Sequence, residues 1–179
     1  MNSKTDCAEY LLDCLISRSK NQGKDIGIVK FLSLLFLTTG FSCNKNESGL
    51  LDVFNNFIFY PAGFIEKDIQ NDILHDRFQK YKLTNGNYSI KNKYLKFDNI
   101  DWQTKKQISD AVDNLVHKNP DIINMQLFDI VDTIQRWSCW KICGYSASIP
   151  NTVIHMPLSL IQKSVKYFAP EPMHGYFPF

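Results

Sequence analysis

Apolar residues recur at helical spacing in several separate stretches of this chain, and one stretch is apolar with no polar face at all. From Ala8, the positions Ala8, Leu11, Leu12, Leu15 and Ile16 follow i, i+3, i+4, i+7 and i+8, one face of a helix, with Asp6 placed to cap its start. The run from about Ile28 to Thr39 carries Phe31, Leu32, Leu34, Leu35, Phe36 and Leu37, and an all-round apolar helix belongs at the centre of a bundle. Ile65, Ile69, Ile73 and Phe78 predict a third helix reaching about Lys80. Ile108, Ala111, Val112, Leu115 and Val116, behind a capping Asp101, predict a fourth that ends at "KNPD". Leu127, Ile130, Val131, Ile134 and Trp137 mark a fifth, and Leu158, Ile161, Val165 and Phe168, behind Pro157, a last one after the loop "GYSASIPN".

Two places break this pattern. Phe57 to Tyr60 suit a short strand that must stop or turn at Pro61, which has no N–H to donate, and Gly63 permits backbone angles closed to its neighbours. "TNGN", Thr84 to Asn87, is a tight-turn signal that, with "YSI" and "KYLKF" beside it, predicts a small hairpin. The sum is a mainly α fold, a single globular helical domain of about six helices over residues 1–168, with a short strand and a hairpin as its β element. The remainder, 169–179, reads "APEPMHGYFPF": its prolines forbid a helix, and its aromatics make it too apolar for an ordinary solvated end.

With 179 residues, 44% of them hydrophobic, the chain suffices for one substantial core. A net charge of +2 from 20 basic and 18 acidic residues gives no overall field toward nucleic acid or membrane. The basic residues are scattered, the densest cluster being "KNKYLK", Lys91 to Lys96, with Tyr94 inside it. It reads first as a solvated strand or loop, so nucleic acid is not expected as a partner. Five cysteines (Cys7, Cys14, Cys43, Cys139, Cys143) are odd in number and irregular in spacing, which fits reduced thiols in a cytoplasmic protein. Cys7 and Cys14 stand about 10 Å apart along a helix, too far to bridge. Cys139-x-x-x-Cys143 has no histidine or second cysteine pair nearby in sequence to complete a zinc site. The apolar run Phe31 to Phe41 is too short to span a bilayer, and with some thirty polar and amphipathic residues before it no signal peptide is expected.

No catalytic chemistry announces itself. The four histidines fall in four different segments, and no nucleophile elbow, P-loop or dinucleotide-binding glycine pattern occurs. Cys139 with His155 is a conceivable nucleophilic pair, against which a buried structural cysteine is the simpler reading. No catalytic residue, metal ligand or cofactor is therefore assigned. What remains is aromatic: Trp137, Trp140 and Tyr145 cluster after the fifth helix, and Tyr60 and Phe64 flank the Pro/Gly corner. Exposed, such residues anchor protein partners.

The order of these pieces resembles the Panacea (SocA-like) antitoxin domain from about Ala8 to Phe168. "AEYLLDCLISRSKNQGKDIGIVKFLSLLFLTTG" is similar to its opening helix–turn–helix. "FIFYPAGFIEKDIQNDI" resembles its central aromatic corner, with Gly63 matching by type and Tyr60, Pro61, Glu66, Lys67, Asp68 and Ile69 more loosely. Ala62 stands where that family has Tyr, and Phe64 where it has Pro or His. "ISDAVDNLVHKNPDIINMQLFDIVDTIQRWSCWK" and "MPLSLIQKSVKYF" resemble its closing helices.

The resemblance implies an antitoxin, bacterial or prophage-borne, that neutralises a toxin encoded beside it by direct binding and without catalysis. In some members it implies a proteolytic adaptor that presents the toxin to an ATP-dependent protease. A second copy of the chain is a further candidate partner; a membrane is not. The residues expected to meet a partner are Tyr60, Phe64, Glu66 and Lys67 at the corner, Trp140, and Tyr176, Phe177 and Phe179 in the tail. Two other readings stay open. A DNA-binding or autoregulatory module of a mobile element needs a basic face on a helix, and an uncharacterised hydrolase needs Cys139 or Cys143 beside a histidine in a cleft.

Overall fold

A helix that is apolar on every side can be stable only if other elements wrap it. The computed structural model, which describes residues 3–60, 63–146 and 154–168, builds α2 over Ile28–Ser42 and buries Phe31, Leu32, Leu34, Leu35, Phe36 and Leu37 to 1% exposure or less. Around it lie α1 (Lys4–Arg18), α3 (Lys67–Leu74), α4 (Trp102–Lys118), α5 (Leu127–Gln135) and a 3-10 turn at Gly49–Asp52, all in contact with α2. Two further helices, α6 (Ser138–Ser146) and α7 (Leu158–Lys163), complete seven among the described residues. The fold is mainly α with two small antiparallel strand pairs, β1–β2 (Phe57–Tyr60 with Gly63–Glu66) and β3–β4 (Tyr81–Leu83 with Tyr88–Ile90). Among the described residues, no helix is long and apolar enough to cross a membrane.

The first helix starts earlier than its apolar pattern indicates. Ser3, not Asp6, is its N-cap, accepting from the Asp6 N–H at 3.4 Å, while Asp6 sits in the first turn, where a carboxylate favours the helix dipole. α1 and α4 run side by side in the same direction. Asp6 accepts from Asn99 near the start of α4, and Arg18, at the far end of α1, holds Asp113 and donates to Ser109 at 2.7 Å. Burial of one carboxylate then joins α1 to the second hairpin. Glu9 is 1% exposed and accepts the N–H groups of Gln79, Lys80 and Tyr81 at 3.0, 2.6 and 2.8 Å. Burial pushes its carboxyl upward from the usual range, and those three donors oppose the shift.

Three expected helices differ from what the chain forms. The third is confined to Lys67–Leu74, because Gly63–Glu66 extend to pair with β1 in the register Phe57↔Glu66 to Tyr60↔Gly63. Its far end stops at His75 and Asp76, the latter at φ 54°, so Phe78 reaches the core from a loop. The fifth ends at Gln135, and a sharp turn at Trp137 starts α6, a helix the hydrophobic spacing does not announce and which takes in Gly144 to Ser146 of the expected loop. The last helix is six residues long. Ser164 turns extended, leaving Val165 60% exposed, while Phe168 packs on Phe41 with ring centroids 4.8 Å apart.

Trp137 fills the space where α2, α5 and α6 meet. It is fully buried, lies 5.3 Å from the Phe36 ring, and donates its indole N–H to the Tyr167 carbonyl at 2.8 Å. Room for the ring comes from Gly40: a Cβ there would stand 2.5 Å from Trp137 Cζ3. Gly40→Ala should therefore cost about 1–3 kcal/mol by overpacking, read as a lower midpoint in urea unfolding. Adding Trp137→Phe should make the two losses less than additive, since the smaller ring vacates the space the methyl needs. Strict additivity would show that the two side chains do not meet.

Candidate functional site

The aromatic corner is a hairpin whose first strand is paired along both edges. On one edge β1 pairs with β2; on the other, Phe59 N donates to the Ile154 carbonyl and Met156 N to the Phe57 carbonyl, each at 2.9 Å. Gly63 takes a φ of 135°, a conformation L side chains rarely adopt, and its missing Cβ points toward Ile134 of α5 at 3.5 Å. Phe59 meets Trp140 of α6 with centroids 5.6 Å apart, and α5 touches both β2 and α6. The hairpin, α5 and α6 thus form one continuous region.

Within it, two of the expected partner-binding residues face inward. Phe64 is 1% exposed, with its ring 4.6 Å from Phe36 and 5.8 Å from Phe59. In a two-residue-period strand, position 64 falls on the side that covers α2, so the aromatic is core and not rim. Glu66 is fully buried and serves as the N-cap of α3, accepting from Ile69 N at 2.9 Å while its other oxygen takes Asn56 N at 3.1 Å and Lys4 Nζ at 2.8 Å. Lys4 also holds Asp68 at 2.6 Å and Asn55 Oδ1 at 3.0 Å, so the start of α1 is locked onto the start of α3. Burial raises the Asp68 pKa, but hydrogen bonds from Lys4 and Asn56 outweigh it and hold the carboxyl below its ordinary value.

The other expected residues divide. Tyr60 is 40% exposed at the hairpin tip, and Lys67 is exposed at the head of α3. Trp140 is half-buried against Phe59. Tyr176, Phe177 and Phe179 lie outside the described residues. The sequence reading missed Phe128 and Ile142. Phe128, on α5, is 77% exposed, and Ile142, on α6, is 49% exposed. A signal for Phe128 was present: it lies off the stripe that buries Ile130 and Ile134, and a large ring off the buried stripe has no core to fill. Ile142 had none, because α6 itself was not foreseen.

The thiols are all enclosed. Cys7, Cys14, Cys43, Cys139 and Cys143 are each 5% exposed or less, and burial pushes Cys7 and Cys139 up to about 11. That is the wrong direction for a nucleophile. Cys139 has Ser164 Oγ beside its backbone N–H at 3.2 Å, and Cys143 has Met156 Sδ at 3.8 Å. Among the described residues, no three His, Cys, Asp or Glu side chains converge as a metal site requires. An open polar depression lies between the α1–α2 turn and the segment before α5, lined by Lys20, Lys24, Asp25 and Asn124; Lys20 and Asp25 there are already paired with Asp121 and Lys30, each at 2.5 Å.

Two outcomes follow from this arrangement. Glu66→Ala should lower stability by about 1–3 kcal/mol in chemical unfolding, since it orphans the Ile69 and Asn56 N–H groups; an unchanged midpoint would show that water replaces the carboxylate without loss. Thiol titration with an aromatic disulfide at neutral pH should be slow for all five cysteines in the native protein and fast in denaturant. A rapidly reacting native thiol would mean that at least one of them is accessible. No family model, curated protein or solved structure matches this chain.

Proposed function

We propose that this chain is an antitoxin of the Panacea (SocA-like) type, a cytoplasmic protein that neutralises a toxin encoded beside it by binding it directly. The observation that carries the reading is the exposure of Tyr60, Phe128 and Ile142 on three elements that touch one another. Aromatic and branched side chains held on a rigid surface are what protein interfaces use as anchors. The buried corner beneath them supplies that rigidity, because Phe64 and Glu66 fix the hairpin to α2 and α3. The ordering of segments that resembles the Panacea domain supports the same reading, as does the enclosure of every thiol. In the adaptor version, the bound toxin is delivered to an ATP-dependent protease, and this surface holds the toxin.

The test is recovery of the partner from the native host with tagged protein, followed by affinity measurement. A small stoichiometric partner that is toxic when expressed alone is the expected result. Tyr60→Ala and Phe128→Ala should each leave the unfolding midpoint within about 0.5 kcal/mol of the parent. Combined, they should weaken toxin binding about thirty-fold or more, the size of a lost anchor of about 2 kcal/mol. Wild-type affinity in the folded double variant would overturn this surface, and recovery of no toxic partner would overturn the antitoxin reading.

A further inference from the structure

Between Arg77 and Phe97 the chain carries six of its 20 basic residues and none of its 18 acidic ones. A molecule of net charge +2 is therefore +6 over this stretch and −4 over everything else. This concentration is hidden in the overall balance, and the fold turns it outward. β3 and β4 pair with Tyr81 opposite Ile90 and Leu83 opposite Tyr88, which puts Tyr81 and Leu83 on the buried side and Lys82 on the exposed one. Beyond β4, the buried Phe97 packs edge-on to Tyr10 at 5.4 Å and Leu95 rests on the core. Pinned at those points, the segment presents Lys93, Tyr94 and Lys96 to solvent.

The charges in this stretch are of two kinds. Arg77, Lys80 and Lys91 are committed to Asp72, Asp13 and Asp76, at 2.9, 2.6 and 3.2 Å. Lys82, Lys93 and Lys96 are exposed and form no ion pair with any described residue. Among these ammonium groups stands Tyr94, 79% exposed, and beyond two exposed carboxylates, Asp98 and the α4 cap Asp101, the chain reaches Trp102, 74% exposed in the first turn of α4. Lys93 Nζ lies 4.9 Å from the centre of the Tyr94 ring, covering one face and leaving the other.

We infer that the segment from Lys82 to Trp102 is a binding surface for single-stranded nucleic acid, its unpaired lysines meeting phosphates and its two exposed rings stacking unpaired bases. Each part has a separate physical reason. Unpaired ammonium groups release condensed counterions from a phosphate chain. An exposed ring offers a face that any base can stack on, without a requirement for sequence. A duplex keeps its base faces occupied and is read by an element inserted in a groove; Lys106 of α4, which could serve one, is paired with Asp110 at 2.5 Å. An acidic polypeptide could also answer the lysines, and competition with polyglutamate separates it from a strand whose bases stack on the rings. The surface uses none of the residues assigned to toxin binding and stands whether or not that reading does.

The experiment is fluorescence anisotropy with labelled single-stranded DNA and RNA of about 16 nucleotides, with the duplex of the same sequence and polyglutamate as competitors. The native protein should bind the single strands, with affinity falling as salt rises. Lys93→Ala with Lys96→Ala should weaken binding and reduce the slope of log affinity against log salt by about 1.4. Tyr94→Ala should weaken it about five-fold or more with the slope unchanged, since stacking releases no counterions. All three side chains are exposed, and an unaltered unfolding midpoint establishes that the variants are folded. Absence of salt-dependent binding, equal affinity for the duplex, unchanged binding by Tyr94→Ala, or displacement by polyglutamate as effective as by the unlabelled strand would each overturn the inference, the last pointing to an acidic protein instead.

Discussion

The rest of the structure depends on the burial of α2. Eleven of its fifteen residues are buried, and a cylinder of about 10 Å with no polar face has to be surrounded before any of its apolar area leaves water. Each neighbour then has one duty, to present an apolar stripe to that axle, and its other side is left to solvent. The arrangement tolerates little at its narrowest point. Gly40 and Trp137 share a volume that neither could occupy with a larger partner, and the indole N–H finds a carbonyl, so the largest ring in the core is fixed in orientation as well as position.

The corner between β1 and α3 illustrates how one side chain can serve several elements. Glu66 ends a strand, caps a helix, accepts from the loop before the hairpin and meets a lysine from the opposite end of the sequence order. A fully buried carboxylate holding three donors is out of reach of an outside partner. What stays accessible in this region is Tyr60 at the hairpin tip, Phe128 on α5 and Ile142 on α6. Surface and support are distinct sets of residues in this region: Phe57, Phe64 and Glu66 are buried, and Tyr60 is exposed at the tip.

Much of this was legible in the chain because helical spacing and burial are two views of one pattern. The stripe Ile108, Ala111, Val112, Leu115 was read correctly, with Asp101 as its cap, and the "TNGN" turn does join two strands. The failures have physical causes. Isoleucine at positions 65 and 69 satisfies a helix and a strand-to-helix junction equally, and only the pairing with β1 decides between them. α6 shows no clean stripe in sequence: Cys139 and Cys143 are buried, Trp140 is half-buried and Ile142 is exposed. Phe64 was placed on the rim because an aromatic beside a proline and a glycine resembles an anchor; its side of the strand could not be known without the register. The basic cluster Lys91 to Lys96 is visible in the sequence and reads there as a solvated strand or loop, since a charge balance taken over the whole molecule averages opposite regions to nearly nothing.

The wiring of α1 bears on the order in which the molecule assembles. Its polar partners lie far downstream: Glu66 for Lys4, the N–H groups of residues 79–81 for Glu9, Asn99 for Asp6 and Asp113 for Arg18. The loops these contacts close are 62 to 95 residues long, and their closure entropy is met only once the intervening chain has condensed on α2. On a ribosome adding roughly 5–20 residues per second, the apolar stripe of the first helix waits several seconds or more for its cover. During that interval Leu11, Leu12 and Leu15 have no native surface to rest on, and the nascent chain is open to chaperones and to its own kind. Of the seven described helices, the one that emerges first is thus among the last to be secured.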